Sequence, residues 1–147
     1  MLVETSRISI LKLLSTNPSW NVIDVGGGEY PVNYANTVVD SRNLREFYSK
    51  TEKIFVHAND LSLFKDKEFD FVFASHVIEH VADPMKFCKE IQRIGKRGYL
   101  EFPRKFFDNI VHGNEIGHLH WVKFDSSSNE LIFTERLQVV SDRKSTR

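Results

Sequence analysis

Five short apolar runs constrain this chain more than any other feature. The strongest is Phe69–Ala74 (FDFVFA), six residues almost all aromatic or β-branched, which is a strand signal. Around it stand Asn21–Val25 (NVIDV), Thr37–Asp40 (TVVD), Lys53–His57 (KIFVH) and Gly98–Phe102 (GYLEF). Such nearly unbroken runs imply strands covered on both faces, the pattern of a parallel sheet. Residues 5–15 read as a helix capped by Ser6. Ile8, Leu11 and Leu14, with Ile10 and Leu13 alongside, form its apolar side, and Asn17-Pro18-Ser19 ends it. Ser41–Lys50 places Leu44, Phe47 and Tyr48 on one helical side. A third helix starts with Asp83 as N-cap and Pro84 at its first position, carries Met85, Cys88, Ile91 and Ile94 at helical spacing, and stops at Gly95. Further on, His120–Phe124 and Leu131–Phe133 flank the turn-rich DSSSN pentapeptide, a hairpin signal. The expected fold is α/β: a doubly wound, mostly parallel sheet, closed by a C-terminal antiparallel hairpin.

At 147 residues the chain is expected to form one domain over residues 1–140, followed by the polar tail 141–147 (SDRKSTR). Lys plus Arg number 20 and Asp plus Glu number 20. That zero net charge weighs against a nucleic-acid partner bound mainly through phosphates. The single cysteine, Cys88, allows neither an intramolecular disulfide nor a cysteine-based zinc site. The best apolar run near the start, Ile8–Leu14, is interrupted by Lys12 and has neither signal-peptide character nor membrane-spanning length. The expectation is a cytoplasmic protein with no membrane partner.

Chemistry concentrates at strand ends. Gly26-Gly27-Gly28 follows the first strand directly. Glycines there let the backbone turn tightly and approach a ligand without a Cβ in the way, at the sheet edge where open α/β folds bind ligands. Asp40 ends the second strand, sixteen positions after Asp24, where dinucleotide folds place a ribose-binding carboxylate. Asn59-Asp60-Leu61 follows the third strand, where a carboxylate could accept from an adenine amino group. Each piece alone also reads as an ordinary strand-exit turn.

The longest pattern is Glu68–Pro84, EFDFVFASHVIEHVADP. It resembles the central segment of class I S-adenosylmethionine-dependent methyltransferases: strand, small residue, His, apolar pair, Glu-His, Asp-Pro. The likeness continues through Phe87–Glu90, Ile91, Arg93 and Gly98–Pro103, and with Asp24–Gly28, Asp40 and Asp60 it covers about residues 21–103. It implies a Rossmann-like sheet of order 3-2-1-4-5-7-6, S-adenosylmethionine as cofactor and S-adenosylhomocysteine as product. By the same resemblance, Asp24 is the acid of the glycine loop, and Gly26, Gly27 and Gly28 line the methionine part. Asp40 holds the ribose hydroxyls, Asp60 and the backbone of Leu61 face the adenine, and Ser75 and His76 border the methyl group. His76, and after it His80, stand as candidate bases, and the neutral charge favours a small-molecule or carbohydrate acceptor. No metal ligand is assigned.

Two departures stand out. The third glycine of the loop falls on Tyr30, followed by Pro31, and Tyr30–Asn36 has no helical face. The segment looks like the Gly-x-x-Pro loop of a subset of small methyltransferase-like sequences, and makes a weakly active or inactive binding domain the alternative. His76-Val77-Ile78-Glu79-His80 also matches the H-x-x-E-H zinc-hydrolase pattern, although a strand before it and Pro84 after it leave little room for the helix that site needs. His112, His118 and His120, with Phe106, Phe107 and Trp121, fall in Arg104–Trp121, the segment expected to select the acceptor.

Overall fold

The computed structural model describes residues 2–103 and 118–136. Five parallel strands, β1 (Val22–Val25), β2 (Thr37–Asp40), β3 (Ile54–His57), β4 (Phe71–Ser75) and β5 (Gly98–Glu101), lie in the order β3-β2-β1-β4-β5. Side chains alternate across this sheet, so each strand feeds two cores. Val22, Val38, Phe71 and Phe73 pack on one face with Ile10 and Leu14 of α1 (Arg7–Ser15), Val32, Ala35, and Tyr48 of α2 (Arg45–Tyr48). Ile23, Val25, Val39, Val72 and Ala74 pack on the other with Leu61, Phe64, Phe69, and Ile94 of α3 (Pro84–Ile94). Both faces are covered, as the unbroken apolar runs require.

The caps form as expected. Ser6 accepts from the Ser9 amide, and Asp83 accepts from the Lys86 amide with Pro84 at the helix start. The apolar side of α1 is narrower than expected: Ile10 and Leu14 are buried, whereas Ile8 is 79% exposed. The helix expected over Ser41–Lys50 contracts to α2. Its N-cap residue is Leu44, whose side chain accepts nothing from the first turn.

The expected hairpin is present as β6 (His120–Asp125) and β7 (Glu130–Glu135), antiparallel. Among the described residues it forms a sheet of its own instead of continuing the main sheet beyond β5. Its entry is fastened elsewhere, because the Leu119 amide donates to the Glu79 carbonyl at 2.7 Å. Glu79 lies in a 3₁₀ turn, Ile78–His80, directly after β4. Among the described residues no helix is long and apolar enough to cross a membrane. The polar tail and residues 104–117 of the expected acceptor segment lie outside the described residues.

No helix follows β1. Residues 26–36 are held as a loop by side chains that supply the hydrogen bonds a helix would have made internally. The Val32 amide donates to Asp24 Oδ2 at 2.7 Å, and the Val22 amide to Asn36 Oδ1 at 2.8 Å. Lys53 Nζ donates to the Asn33 and Ala35 carbonyls at 2.9 and 2.6 Å. The Tyr48 hydroxyl donates to the Gly28 carbonyl. Tyr48→Phe removes that last tie while keeping the ring stacked on Phe55. It is expected to lower unfolding stability by about 1 kcal/mol, the usual net value of one such bond. Urea titration reads this directly, and an unchanged midpoint would mean that Asp24 and Lys53 alone hold the loop.

Candidate active site

The C-terminal ends of β1, β2 and β4 meet along one edge of the sheet, and most of the residues singled out in the sequence lie there. Gly26 continues β1 into the turn, donating its amide to the Val39 carbonyl at 2.7 Å. Its φ is +73°, and a Cβ there would collide with Val77. Gly28, at φ +56°, leaves room for the Arg42 guanidinium. Gly26 is therefore favoured on conformational and steric grounds, and Gly28 on conformational grounds, since the Arg42 tip could move aside. Gly27 packs between the Asp24 carboxyl and the Pro31 ring.

The two aspartates behave differently. Asp24 is almost wholly buried. Burial pushes its carboxyl from 3.8 up to about 6, against the opposing effects of the Val32 amide, Arg7 and Lys53. Its role here is to fix the turn from within. Asp40 ends β2 at the opening of that turn and accepts from the Gly28 amide at 3.1 Å. It also accepts from the Arg42 amide at 2.8 Å and from the Arg42 guanidinium at 3.2 Å. Arg42, two residues on, therefore folds back over the carboxylate while its own side chain stays 62% exposed.

Beyond β3, Asp60 is exposed and closes a local turn by accepting from the Ser62 amide and hydroxyl, which hold its carboxyl below the usual range. Leu61 turns its side chain into the second core, and its carbonyl accepts from Arg93 at 2.9 Å. Across the sheet, Ser75 ends β4 in register with Glu101 of β5 and donates to its carboxylate at 2.9 Å. Arg7, from the start of α1, bridges the pair at 2.6 Å to Glu101 and 3.2 Å to Ser75. Sequence reasoning missed both Arg7 and Arg42. Ion pairs across the fold leave no local pattern, but Arg42, close behind a strand-end aspartate, was within reach of a turn argument.

His76 leaves β4 with φ +55°, an uncommon conformation for a residue with a side chain. Its amide donates to the Glu101 carbonyl at 2.9 Å. Its ring is half exposed, with Nδ1 3.3 Å from Glu79 Oε1. The facing Glu79 carboxylate raises the His76 pKa above its usual 6.5, outweighing the partial burial. His80 does not stack above His76 on a helix, because the helical segment here is only the three-residue 3₁₀ turn. Instead its ring meets that of His118 edge to face, with centroids 4.5 Å apart. The H-x-x-E-H pattern therefore lacks the helical frame that its zinc-hydrolase reading needs.

A family model described as a methyltransferase domain matches residues 10–102. Among solved structures, a SAM-dependent methyltransferase from Methanosarcina mazei is 20% identical, with 78% of this chain and 70% of that chain covered and a TM-score of 0.52. The YcgJ protein from Bacillus subtilis is 19% identical, with 73% and 57% covered and a TM-score of 0.52. At such identities the likeness speaks to the fold. A SAM-dependent methyltransferase from Thermotoga maritima, described as a possible histamine N-methyltransferase, is 28% identical, with 63% and 48% covered and a TM-score of 0.49. The chain thus spans about half the length of the first solved structures it matches. No curated protein sequence matches it. The family match begins within α1 and runs through β5, taking in the whole parallel sheet: this chain belongs to the methyltransferase domain family.

Proposed function

We propose that this chain binds S-adenosylmethionine along the C-terminal edge of β1, β2 and β4 and passes its methyl group to a small-molecule or carbohydrate acceptor. The observation that carries this reading is Asp40. It is a carboxylate at the end of β2, beside a turn built on two left-handed glycines, and its outer partner is the largely exposed Arg42. A guanidinium that swings into water leaves an acceptor for two vicinal hydroxyls, and the Gly28 amide keeps that acceptor oriented.

In this reading Gly26, Gly27 and Gly28 line the methionine part with backbone, and Asp24 holds their turn through Val32. Asp60 and the backbone of Leu61 face the adenine, and Ser75 and His76 border the methyl end. The cofactor, when bound, supplies a methyl group on a positively charged sulfur, a good leaving group. The protein's task is then mainly to align the acceptor with it and to exclude water. His76 is the candidate base for a hydroxyl acceptor, its ring reaching solvent while Glu79 orients it from behind. The zero net charge favours an uncharged or small acceptor over nucleic acid.

Calorimetry with S-adenosylmethionine and with S-adenosylhomocysteine, each to millimolar concentration, tests the reading. One molecule of either per chain, with a rise in the unfolding midpoint, is expected. No heat and no thermal shift with both would overturn it. Binding without transfer to any acceptor would favour the binding-domain alternative.

A further inference from the structure

We infer that Glu79, His80 and His118 form a binding site for a divalent transition-metal ion of the zinc type, joining the β6–β7 hairpin to the turn after β4. One carboxylate oxygen and one ring nitrogen from each histidine lie within 4.8 Å of one another. Proximity alone would not make a site. The second observation is the state of Glu79. Its residue is 0% exposed, and among the described residues neither carboxylate oxygen has a hydrogen-bond donor. The His76 ring approaches Oε1 at 3.3 Å as an ion pair without hydrogen-bond geometry. A half-exposed imidazole that is charged only when protonated is a weak partner for a carboxylate so deeply buried, and a cation shared with His80 and His118 supplies a stronger one.

The donor set decides the class of ion. Two imidazole nitrogens and one carboxylate oxygen suit zinc-like ions, which take three protein ligands and leave a fourth position open. Calcium and magnesium prefer oxygen-rich shells. Bond lengths of about 2.0–2.2 Å in a tetrahedral site require the three groups to draw in from their present spacing, which side-chain rotation of the exposed His80 permits. The backbone is already arranged for it. The Leu119 amide is bonded to the Glu79 carbonyl at 2.7 Å, which sets His118 beside the 3₁₀ turn.

The ligands come from segments far apart in sequence, so the ion acts as a staple. A two-stranded hairpin is marginal alone, and this one belongs to no larger sheet among the described residues. The site departs from the expectation of no metal, and it is not the H-x-x-E-H arrangement, since His118 replaces His76. It stands independently of cofactor binding.

The test uses the full chain, stripped with a chelator and titrated with zinc ions alone by calorimetry, with metal content measured on protein purified without added metal. One zinc per chain and a raised unfolding midpoint are expected. Glu79→Gln, His80→Ala and His118→Ala should each weaken zinc binding by at least about 10–100-fold, while His57→Ala, on β3, leaves it unchanged. Cobalt(II) in place of zinc should show the visible absorption of a tetrahedral site, lost in the same variants. If Glu79→Gln fails to fold, the exposed His80→Ala carries the comparison. Absence of stoichiometric zinc binding, or affinities unchanged in His80→Ala and His118→Ala, would overturn the assignment. S-adenosylmethionine binding is measured separately, so either proposal can fail without the other.

Discussion

Asp24→Asn is expected to stabilise the protein at pH 7–8 relative to pH 4, by about 2.5 kcal/mol between the two limits. Burial pushes the native carboxyl up to about 6, against 3.8 when free, and a difference of that size corresponds to about 3 kcal/mol over the whole titration, part of which falls below pH 4. The sign follows from linkage. Between those two values the native state holds a proton that the unfolded chain has released, so native stability falls as pH rises through this window. Below it both states are protonated and Asp24 costs nothing. Above about pH 6 the native state carries a buried charge and the full cost applies. An asparagine never ionises, and its carbonyl still accepts from the Val32 amide. Any cost of placing its NH₂ group is the same at every pH and cancels in the comparison. Urea unfolding of both proteins from pH 4 to pH 8 gives the difference curve. A flat curve would show that Asp24 ionises in the native state as it does in water. The buried carboxylate is retained at a cost because it fixes the turn that opens the site.

That turn shows how far local sequence reaches. The five strands were legible because their apolar runs leave no polar face, and the missing helix after β1 was legible because Pro31 and the asparagines of residues 30–36 give it no face either. The burial of α1 was harder to read. Ile8, Ile10, Leu11, Leu13 and Leu14 surround the helix, so periodicity could not choose the face, and packing chose Ile10 and Leu14. Asp40 and Ser75 end β2 and β4, whereas Asp24 lies inside β1 and Asp60 in the turn beyond β3. The partners of these side chains were not legible, because Arg7 on Ser75 and Glu101, and Arg42 on Asp40, depend on side-chain reach in three dimensions. The histidines show the same limit. A spacing of four suggested that His76 and His80 act together, but that holds only on a helix. With His76 at φ +55° the chain turns away: Glu79 still reaches His76, but His80 meets His118.

Asp40→Ala should weaken S-adenosylmethionine binding by about 10–100-fold, whereas Asp70→Ala should leave it unchanged. Each hydrogen bond from a ribose hydroxyl to the carboxylate is worth about 1.5–3 kcal/mol, and two are available. Part of that is offset, since the free protein already fills Asp40 with the Gly28 amide and the Arg42 guanidinium, and binding exchanges the latter for the hydroxyls. The exchange makes a second expectation. Arg42→Ala removes the competitor and should tighten binding, or at least not weaken it, although it deletes a positive charge at the site. Asp40→Asn keeps an acceptor for Gly28 without the charge and should fall between wild type and Asp40→Ala. Asp70 is the proper comparison because it lies just before β4, at the opposite end of the strands. There it accepts from the Asn21 amide at 2.9 Å and from Lys96 at 2.8 Å. Losing it affects stability, which thermal unfolding reports, but not the binding edge. Calorimetry on the folded variants separates these outcomes. Equal affinities for Asp40→Ala and Asp70→Ala would remove Asp40 from the ribose site, and much weaker binding in Arg42→Ala would mean that the guanidinium contacts the cofactor instead of guarding its place.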